Sequence, residues 1–468
     1  MQIQSIGHTM EYEAEQMVLL FFPHHKDVTL LSALEKSDNT FSVHTKASFM
    51  GKESTYTETK TLQNPSEREI GNLIKRSAYF ALRPLSSMPA PWGILTGVRP
   101  AKLVRILFSE GHSAEDVRKM LRDDYLVEDD KISLCMSVAM EEARHPQNRN
   151  DVCIYIGIPF CPTRCAYCSF ISGTGAVSTK EEYVRLLLLE MQRTGEIIKD
   201  IGLHLRAIYI GGGTPTSLDA PLLETLMQGI HTAFSPSEGL EFTTEAGRPD
   251  TITPEKLSVL KDYGTNRISI NPQTLHDETL RRIGRRHSAA QFLEAFDLAR
   301  KAGFTNINTD LIAGLPGENF AMYRHSFDTV AALSPESLTV HTLYVKRASE
   351  IAQSGADVSE TPEVSDMLSY TYRESIRLGF LPYYMYRQKA TVGNLENVGY
   401  AKPGTDSFYN TVTMTDCAHI FALGAGGVSR LILPDKVERV FNFKHDDAYT
   451  RDFAEILRRK EEFYKIKL

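Results

Sequence analysis

The run Gly157-Ile-Pro-Phe-Cys-Pro-Thr-Arg-Cys-Ala-Tyr-Cys-Ser-Phe170 places Cys161, Cys165 and Cys168 in a C-x3-C-x2-C pattern, with no fourth cysteine close by in sequence. Three thiolates hold three irons of a 4Fe–4S cube and leave the fourth iron open to a ligand that is not protein. An open metal position marks chemistry, as it does at catalytic zinc. A cluster that only carries electrons usually closes its coordination with a fourth cysteine. Zinc is the competing reading, but structural zinc sites favour C-x2-C pairs and four ligands.

Outward from this run the chain alternates strand, loop and helix. The run follows a candidate strand at Cys153–Ile158, and further strands are expected at Leu205–Ile210, Leu240–Glu245, Asn266–Asn271, Thr305–Leu311 and Ser337–Tyr344. Helix signals fill the gaps. Thr179 with Glu182 reads as a capping box, Asp219 as a cap, and Thr253-Pro254 as a cap followed by a first-turn proline. Helices also fit Ala289–Ala302 and Ala321–Leu333. Short apolar strands alternating with helices predict an α/β fold with a parallel sheet. Six such units suggest a partial or complete barrel rather than a doubly wound sheet, although strand order is not legible in sequence.

Reactive groups of a βα barrel gather on the loops after the strands, and the unusual residues fall there. The cysteine loop follows the first strand and Gly211-Gly-Gly-Thr-Pro215 the second. Glu245 ends the third strand, Gln273 lies just past the fourth, and Asp310 stands near the end of the fifth. The glycine run is either a tight turn or a close backbone approach to a ligand; it matches neither a Walker loop nor a dinucleotide fingerprint. Glu245 ends an otherwise apolar strand, where an unpaired charge is costly, so a ligand hydroxyl or ammonium would satisfy it. Gln273 and Asp310 admit the same reading beside plain structural hydrogen bonding. Arg285 lies in the basic run Arg281-Arg-Ile-Gly-Arg-Arg-His287, either a solvated helix face or a clamp for carboxylates.

The 468-residue chain is 42% hydrophobic, enough for large cores. With 52 basic and 59 acidic residues it carries a net charge of -7, which disfavours a bulk grip on DNA or RNA. Six cysteines make no disulfide framework, and Cys135, Cys153 and Cys417 read as lone buried thiols. Free thiols and an oxygen-sensitive cluster fit a cytoplasmic setting. No signal peptide and no apolar stretch of about 18 residues is present, so no membrane span is expected.

Residues 1–150 read as an α+β accessory domain. Strands are expected at Gln2–Ile6, Met17–Phe22, Val28–Leu31 and Phe41–Lys46. Helices are expected at Ser66–Leu85, Pro100–Phe108, Ala114–Leu121 and Lys131–Ala143. Residues 151–360 are expected to form the barrel. Residues 361–468, with helices at Val364–Leu378 and Ala448–Tyr464, read as a subdomain closing it.

Together these motifs resemble the radical S-adenosylmethionine (SAM) enzymes, and within them the oxygen-independent coproporphyrinogen III dehydrogenases. The resemblance rests on Tyr155-Ile-Gly-Ile-Pro-Phe-Cys161, Gly211-Gly-Gly-Thr-Pro-Thr216, Arg267-Ile-Ser-Ile-Asn-Pro-Gln273 and Asp310-Leu-Ile-Ala-Gly-Leu-Pro-Gly317. The N-terminal segment and the stretch from Tyr386-Arg-Gln-Lys through Asn394 to Gly404 look like the HemZ branch. The resemblance implies a radical SAM barrel of the partial (β/α)6 type with the cluster on Cys161, Cys165 and Cys168. SAM would bind the open iron and meet Tyr155, Tyr167, Gly212, Gly213, Thr214, Glu245, Gln273, Arg285 and Asp310. Reductive cleavage of SAM would give a 5′-deoxyadenosyl radical that takes hydrogen from a propionate of coproporphyrinogen III. Two decarboxylations would give the vinyl groups of protoporphyrinogen IX. Implied partners are this tetrapyrrole and a reduced electron donor such as flavodoxin or ferredoxin. Arg164, Arg286, Arg347, Arg387 and Lys389 are candidates for propionate binding, and Tyr383, Tyr384 and Tyr386 for packing on the tetrapyrrole or in the core.

Two departures stand out. Ser-Ile-Asn-Pro-Gln replaces the commoner Ser-Leu-Gly-Val-Gln, and Ser169 follows Cys168 where the family carries a further cysteine. The family also includes heme carriers, for which His341, His419 and His445 offer ligands. RNA modification is a third class, without a basic accessory domain to support it.

Overall fold

A computed structural model describes residues 1–23, 25–168, 173–344, 361–388 and 391–467. Arg347, Lys389 and Ser169 lie outside them. The chain divides into two compact units. One comprises Met1–Met140, Glu360–Ser369 and Met385–Glu396; the other Glu141–Ser359, Tyr370–Tyr384 and Asn397–Leu468.

In the first unit, strands β1 (Gln2–Ile6), β2 (Thr29–Ser37), β3 (Thr40–Phe49) and β4 (Lys52–Thr61) form one sheet in chain order, parallel at β1–β2 and antiparallel beyond. The expected strand at Met17–Phe22 is instead the end of a helix, Glu11–Phe21. Ala14, Met17, Val18 and Phe21 are buried at helical spacing there, a period that the short apolar run concealed. Strand β4 has no apolar alternation and is mostly exposed, so its sequence gives no strand signal. The helix Glu67–Leu82 begins with a complete Ser66/Glu69 capping box and sends Ser77 Oγ to the Val43 carbonyl at 2.9 Å. Arg387 is not a free propionate ligand. Its guanidinium is buried over the Trp92 ring, 5.2 Å from the centroid, and donates to the carbonyls of Leu95 and Asn394.

The second sheet has eleven strands. Strands β5 (Asp151–Ile158), β6 (His204–Gly212), β7 (Glu241–Glu245), β8 (Arg267–Ser269), β9 (Ile307–Ala313) and β10 (Ser337–Thr342) are parallel neighbours in chain order. All six expected strands are present. A doubly wound sheet would reverse its order at a switch point; this one does not, so the winding is that of a barrel. The sheet stays open. Beyond β10 come β12 (Glu396–Ala401) and β11 (Leu381–Arg387), and β5 is flanked by β13 (His419–Leu423), β14 (Val428–Ile432) and β15 (Val437–Phe441). The architecture is therefore a partial (β/α)6 barrel with flanking strands.

Strand alternation sorts the two faces. Ile154, Ile156, Ile208, Ile210, Phe242, Ile268, Leu311, Leu338 and Val340 are buried on one. The register lines up Tyr155 with Tyr209 and Thr243, Ser269 with Asn308, Asp310 with Thr339, and Ile312 with His341 on the other. The sheet thus presents one apolar face and one polar face.

Asp219, Thr253, Ser288 and Asn319 cap the helices Ala220–Phe234, Pro254–Asp262, Ala289–Lys301 and Phe320–Ala332. The expected Thr179/Glu182 box does not form. The helix Val177–Ile201 begins three residues earlier, after Ala176, and Glu182 pairs with Arg185 instead. The expected final helix is two, Asp446–Arg451 and Phe453–Lys467, separated at Asp452.

A buried carboxylate, Glu190, ties the end of the chain to β5. It accepts from Gly424 N at 2.8 Å, Tyr449 OH at 2.6 Å, Asn442 Nδ2 at 3.1 Å and Lys460 Nζ, and Lys460 also donates to the Ala422 carbonyl. Ala422 pairs with Tyr155, and Tyr183 OH donates to the Gly157 carbonyl at 2.7 Å. The base of the cysteine loop is therefore held from the far end of the sequence.

Candidate active site at the ends of the parallel strands

Strand β5 runs into Pro159 and Phe160, where the loop is pinned by Gly173. Gly173 N donates to Pro159 O at 3.0 Å, and Cys161 N donates to Gly173 O at 2.9 Å. The loop then leans on the turn after the helix Asp277–Arg282. Ala166 N donates to Ile283 O at 3.0 Å and Thr163 Oγ1 to Gly284 O at 3.1 Å. Gly284 has a φ of +78°, and a Cβ there would stand 2.9 Å from Arg164 O, so no other residue fits this contact.

None of the three cysteines is in a disulfide; Cys165 is buried, and Cys161 and Cys168 are half-buried. Cys161 Sγ lies 3.4 Å from Thr214 Oγ1, which joins the loop to the glycine run. Gly213 N donates to Ile158 O at 2.8 Å, and a Cβ on Gly213 would stand 2.7 Å from Phe160 O. The glycine run is thus packed against the exit of β5. As they lie, no three His, Cys, Asp or Glu side chains among the described residues stand close enough together to hold a metal.

Tyr167 and Arg285 meet: Arg285 Nε and Nη2 donate to Tyr167 OH at 3.2 and 3.0 Å, and Nη1 donates to the carbonyls of Gly247 and Asn271. The basic run therefore contributes a buried clamp at Arg285, while Arg286 and Arg164 are exposed. Tyr155 stacks with Tyr209 and Tyr409, whose own rings are 4.5 Å apart. Tyr209 OH donates to Glu245 Oε1 at 2.6 Å.

Gln273 has a φ of +68° and is buried, with no partner for Oε1. A left-handed non-glycine residue is strained, and such strain gathers at functional sites. Its backbone holds it there, Gln273 N donating to Asp310 O and Ile312 N to Gln273 O, both at 3.0 Å. Asp310 closes a ring of hydrogen bonds. Asn308 Nδ2 donates to its Oδ1 at 2.7 Å and Asn271 Nδ2 to its Oδ2 at 2.8 Å; Asn308 and Asn271 each bond Ser269 Oγ as well. His341 Nε2 lies 3.7 Å from Asp310 Oδ2. The asparagine at position 271 therefore anchors this carboxylate.

Burial pushes Glu245 up to about 7; the Tyr209 hydrogen bond opposes the rise and nearby Asp310 adds to it. Because the folded value lies above the ordinary 4.5, its contribution to stability is complete below that pH and lost as pH rises through about 7. Glu245→Gln removes this term. The variant's unfolding free energy should gain on wild type by up to ~3 kcal/mol between those limits, read by urea titration across pH. Equal slopes with pH for both proteins would contradict the assignment.

Among the heme-ligand candidates, His419 is engaged at both nitrogens, by Arg149 O and Ile432 N, and belongs to the core. Tyr383 and Tyr384 are buried too, with Tyr383 OH accepting from Asn410 Nδ2 at 3.0 Å.

Residues 155–330 match the radical SAM superfamily. Over 397 residues the chain is 41% identical to the oxygen-independent coproporphyrinogen-III oxidase-like protein HemZ of Bacillus subtilis, across 82% of this chain and 79% of that protein. The chain belongs to the HemZ-like branch of the radical SAM superfamily. It is also 42% identical over 193 residues to the heme chaperone HemW of Bacillus subtilis, covering 41% of this chain and 50% of that protein. The solved coproporphyrinogen III oxidase HemN from Escherichia coli shares the fold, with a TM-score of 0.55 and 23% identity over 68% of this chain and 71% of that one.

Membership of this superfamily implies an iron–sulfur cluster and SAM. The donor types suit both. One loop carries three cysteines outside any disulfide, although the side chains as they lie are not gathered around a metal, and the orphaned Gln273 Oε1 is a buried acceptor without a donor. Sequence reading missed Arg248, Tyr209 and the Asn271–Asn308–Ser269 ring. The Gly247-Arg-Pro-Asp250 stretch directly after β7 was the available signal for Arg248, a charge at a strand's C-terminal end.

Proposed function

We propose that the protein converts propionate side chains of coproporphyrinogen III to vinyl groups without oxygen, yielding protoporphyrinogen IX. The observation that supports this reading is the gathering of the cysteine loop, the glycine run, Glu245, Gln273, Arg285 and Asp310 at one end of the parallel strands, in a chain related to HemZ along most of its length. When bound, the cluster and SAM would supply the one-electron chemistry by which a propionate loses a hydrogen atom and then carbon dioxide, with one further electron passed to an external electron acceptor.

In this reading Cys161, Cys165 and Cys168 hold the cluster. Gln273 Oε1 accepts a SAM hydroxyl or ammonium, and Glu245 accepts a second once ionised. Tyr167, locked by Arg285, offers a ring face beside the cluster loop. Asp310 is held rigidly by its two asparagines, and such preorganisation lowers the ordering cost of binding. Tyr155 with Gly212, Gly213 and Thr214 forms the wall next to β5. Exposed Arg164 and Arg286 meet substrate carboxylates. The reducing electron comes from a donor such as reduced flavodoxin or ferredoxin, and the oxygen-labile site works in the cytoplasm. No helix among the described residues is long and apolar enough to cross a membrane.

The test is anaerobic incubation of reconstituted protein with SAM, a reductant and coproporphyrinogen III, followed by mass spectrometry. Divinyl product with matching SAM consumption is the expected result. Stable heme binding with no vinyl product would replace this reading with heme carriage.

A further inference from the structure

We propose that Arg248 sets the reduction potential of the cluster carried by Cys161, Cys165 and Cys168, an inference that rests on the cluster assignment above. Arg248 follows β7 and precedes the short turn Pro249–Thr251, whose Thr251 N and Oγ1 both donate back to the Arg248 carbonyl. That turn brings Asp250 onto the guanidinium. Nε meets Oδ1 and Nη2 meets Oδ2, each at 3.0 Å, in a two-pronged pair. The fork is thereby aimed, and its remaining hydrogens point at the cysteine loop. Nη1 and Nη2 both reach Thr163 Oγ1 at 3.1 Å, and Nη1 donates to Cys165 Sγ at 3.7 Å. The side chain is only 3% exposed.

A hydrogen bond to a cluster sulfur and a nearby positive charge both favour the more negative, reduced cluster, and protein control of cluster potential works through these two levers. Burial strengthens both. Asp250 offsets part of the charge but fixes the direction of the donor. Arg285, a buried guanidinium that reaches the loop from the turn after the helix Asp277–Arg282, directs its hydrogens to Tyr167 and to backbone carbonyls. In reduction one electron passes from the external donor to the cluster and no covalent bond changes. Arg248 therefore acts as a positioning and tuning residue, not a catalytic one.

The experiment is an anaerobic redox titration, followed by electron paramagnetic resonance, of reconstituted wild type, Arg248→Gln and Arg248→Lys without substrate. Arg248→Gln should lower the reduced-to-oxidised ratio at the wild-type midpoint at least tenfold, a shift of about 59 mV to more negative potential. Arg248→Lys keeps the charge without the fork and should fall between. A full cluster at unchanged potential in Arg248→Gln overturns the proposal. So does failure of both variants to take up iron, which would make Arg248 a folding residue. Wild type that takes up no iron and sulfide sinks the cluster assignment instead.

Discussion

Serine in place of Cys161, Cys165 or Cys168 is expected to leave a folded chain with little bound iron and SAM cleavage reduced more than ~100-fold. Loss of an outer partner of a metal ligand already costs 10–100-fold, and loss of a ligand itself exceeds that. A serine hydroxyl is a much poorer ligand for iron than a thiolate. Iron and sulfide content, visible absorption and quantified SAM cleavage products check the result, with circular dichroism to confirm folding. Cys153→Ser is the control. Its side chain is fully buried in an apolar cluster with Ala207, Val412 and Ile420, and burial pushes the thiol well above its ordinary value, so the cluster should persist in this variant. Full cluster content in all three serine variants would remove the basis of the proposed chemistry.

The second large effect concerns stability. Lys460→Met strips the counter-charge from Glu190, which stays in a site with no exposure to water. Breaking a buried ion pair on one side costs about 3–5 kcal/mol, because the remaining charge is uncompensated. Tyr449, Asn442 and Gly424 still donate to Glu190, but they are neutral. Lys460→Met with Glu190→Gln removes both charges and keeps an acceptor, so it should cost less than Lys460→Met alone. Urea unfolding of the two variants reads the difference. A single variant as stable as wild type would show that the pair contributes nothing.

The barrel was legible because its signals agree. The expected strands between Cys153 and Tyr344 are short segments spaced by helix signals, the first of them mostly apolar, and the caps at Asp219 and Thr253 mark where helices start. Met17–Phe22 misled because six apolar residues fit either period, and only the buried spacing of Ala14, Met17, Val18 and Phe21 decides for helix. Strand β4 was invisible because pairing with β3, not burial, holds it. At the site, spacing exposed the cysteines and the glycine run. The ring around Asp310 was hidden because its members come from β9, β8 and the residues just past β8, and only the pairing of Ser269 with Asn308 brings Asn271 to Asp310. Lys460 and Glu190 were hidden for the same reason, each reading as an ordinary charge on its own helix.

The pairing of β5 with β13 has a consequence for how the molecule matures. On the ribosome, β5 and its three-thiol loop emerge early, whereas the strand that completes β5's other edge is made only after most of the barrel. Until His419–Leu423 appears, that edge stays bare, and a bare edge invites wrong pairing. The Glu190 anchor closes later still, since Tyr449 and Lys460 follow. Until these segments are made, the cysteine loop lacks the support that β13 and the Glu190 contacts give it.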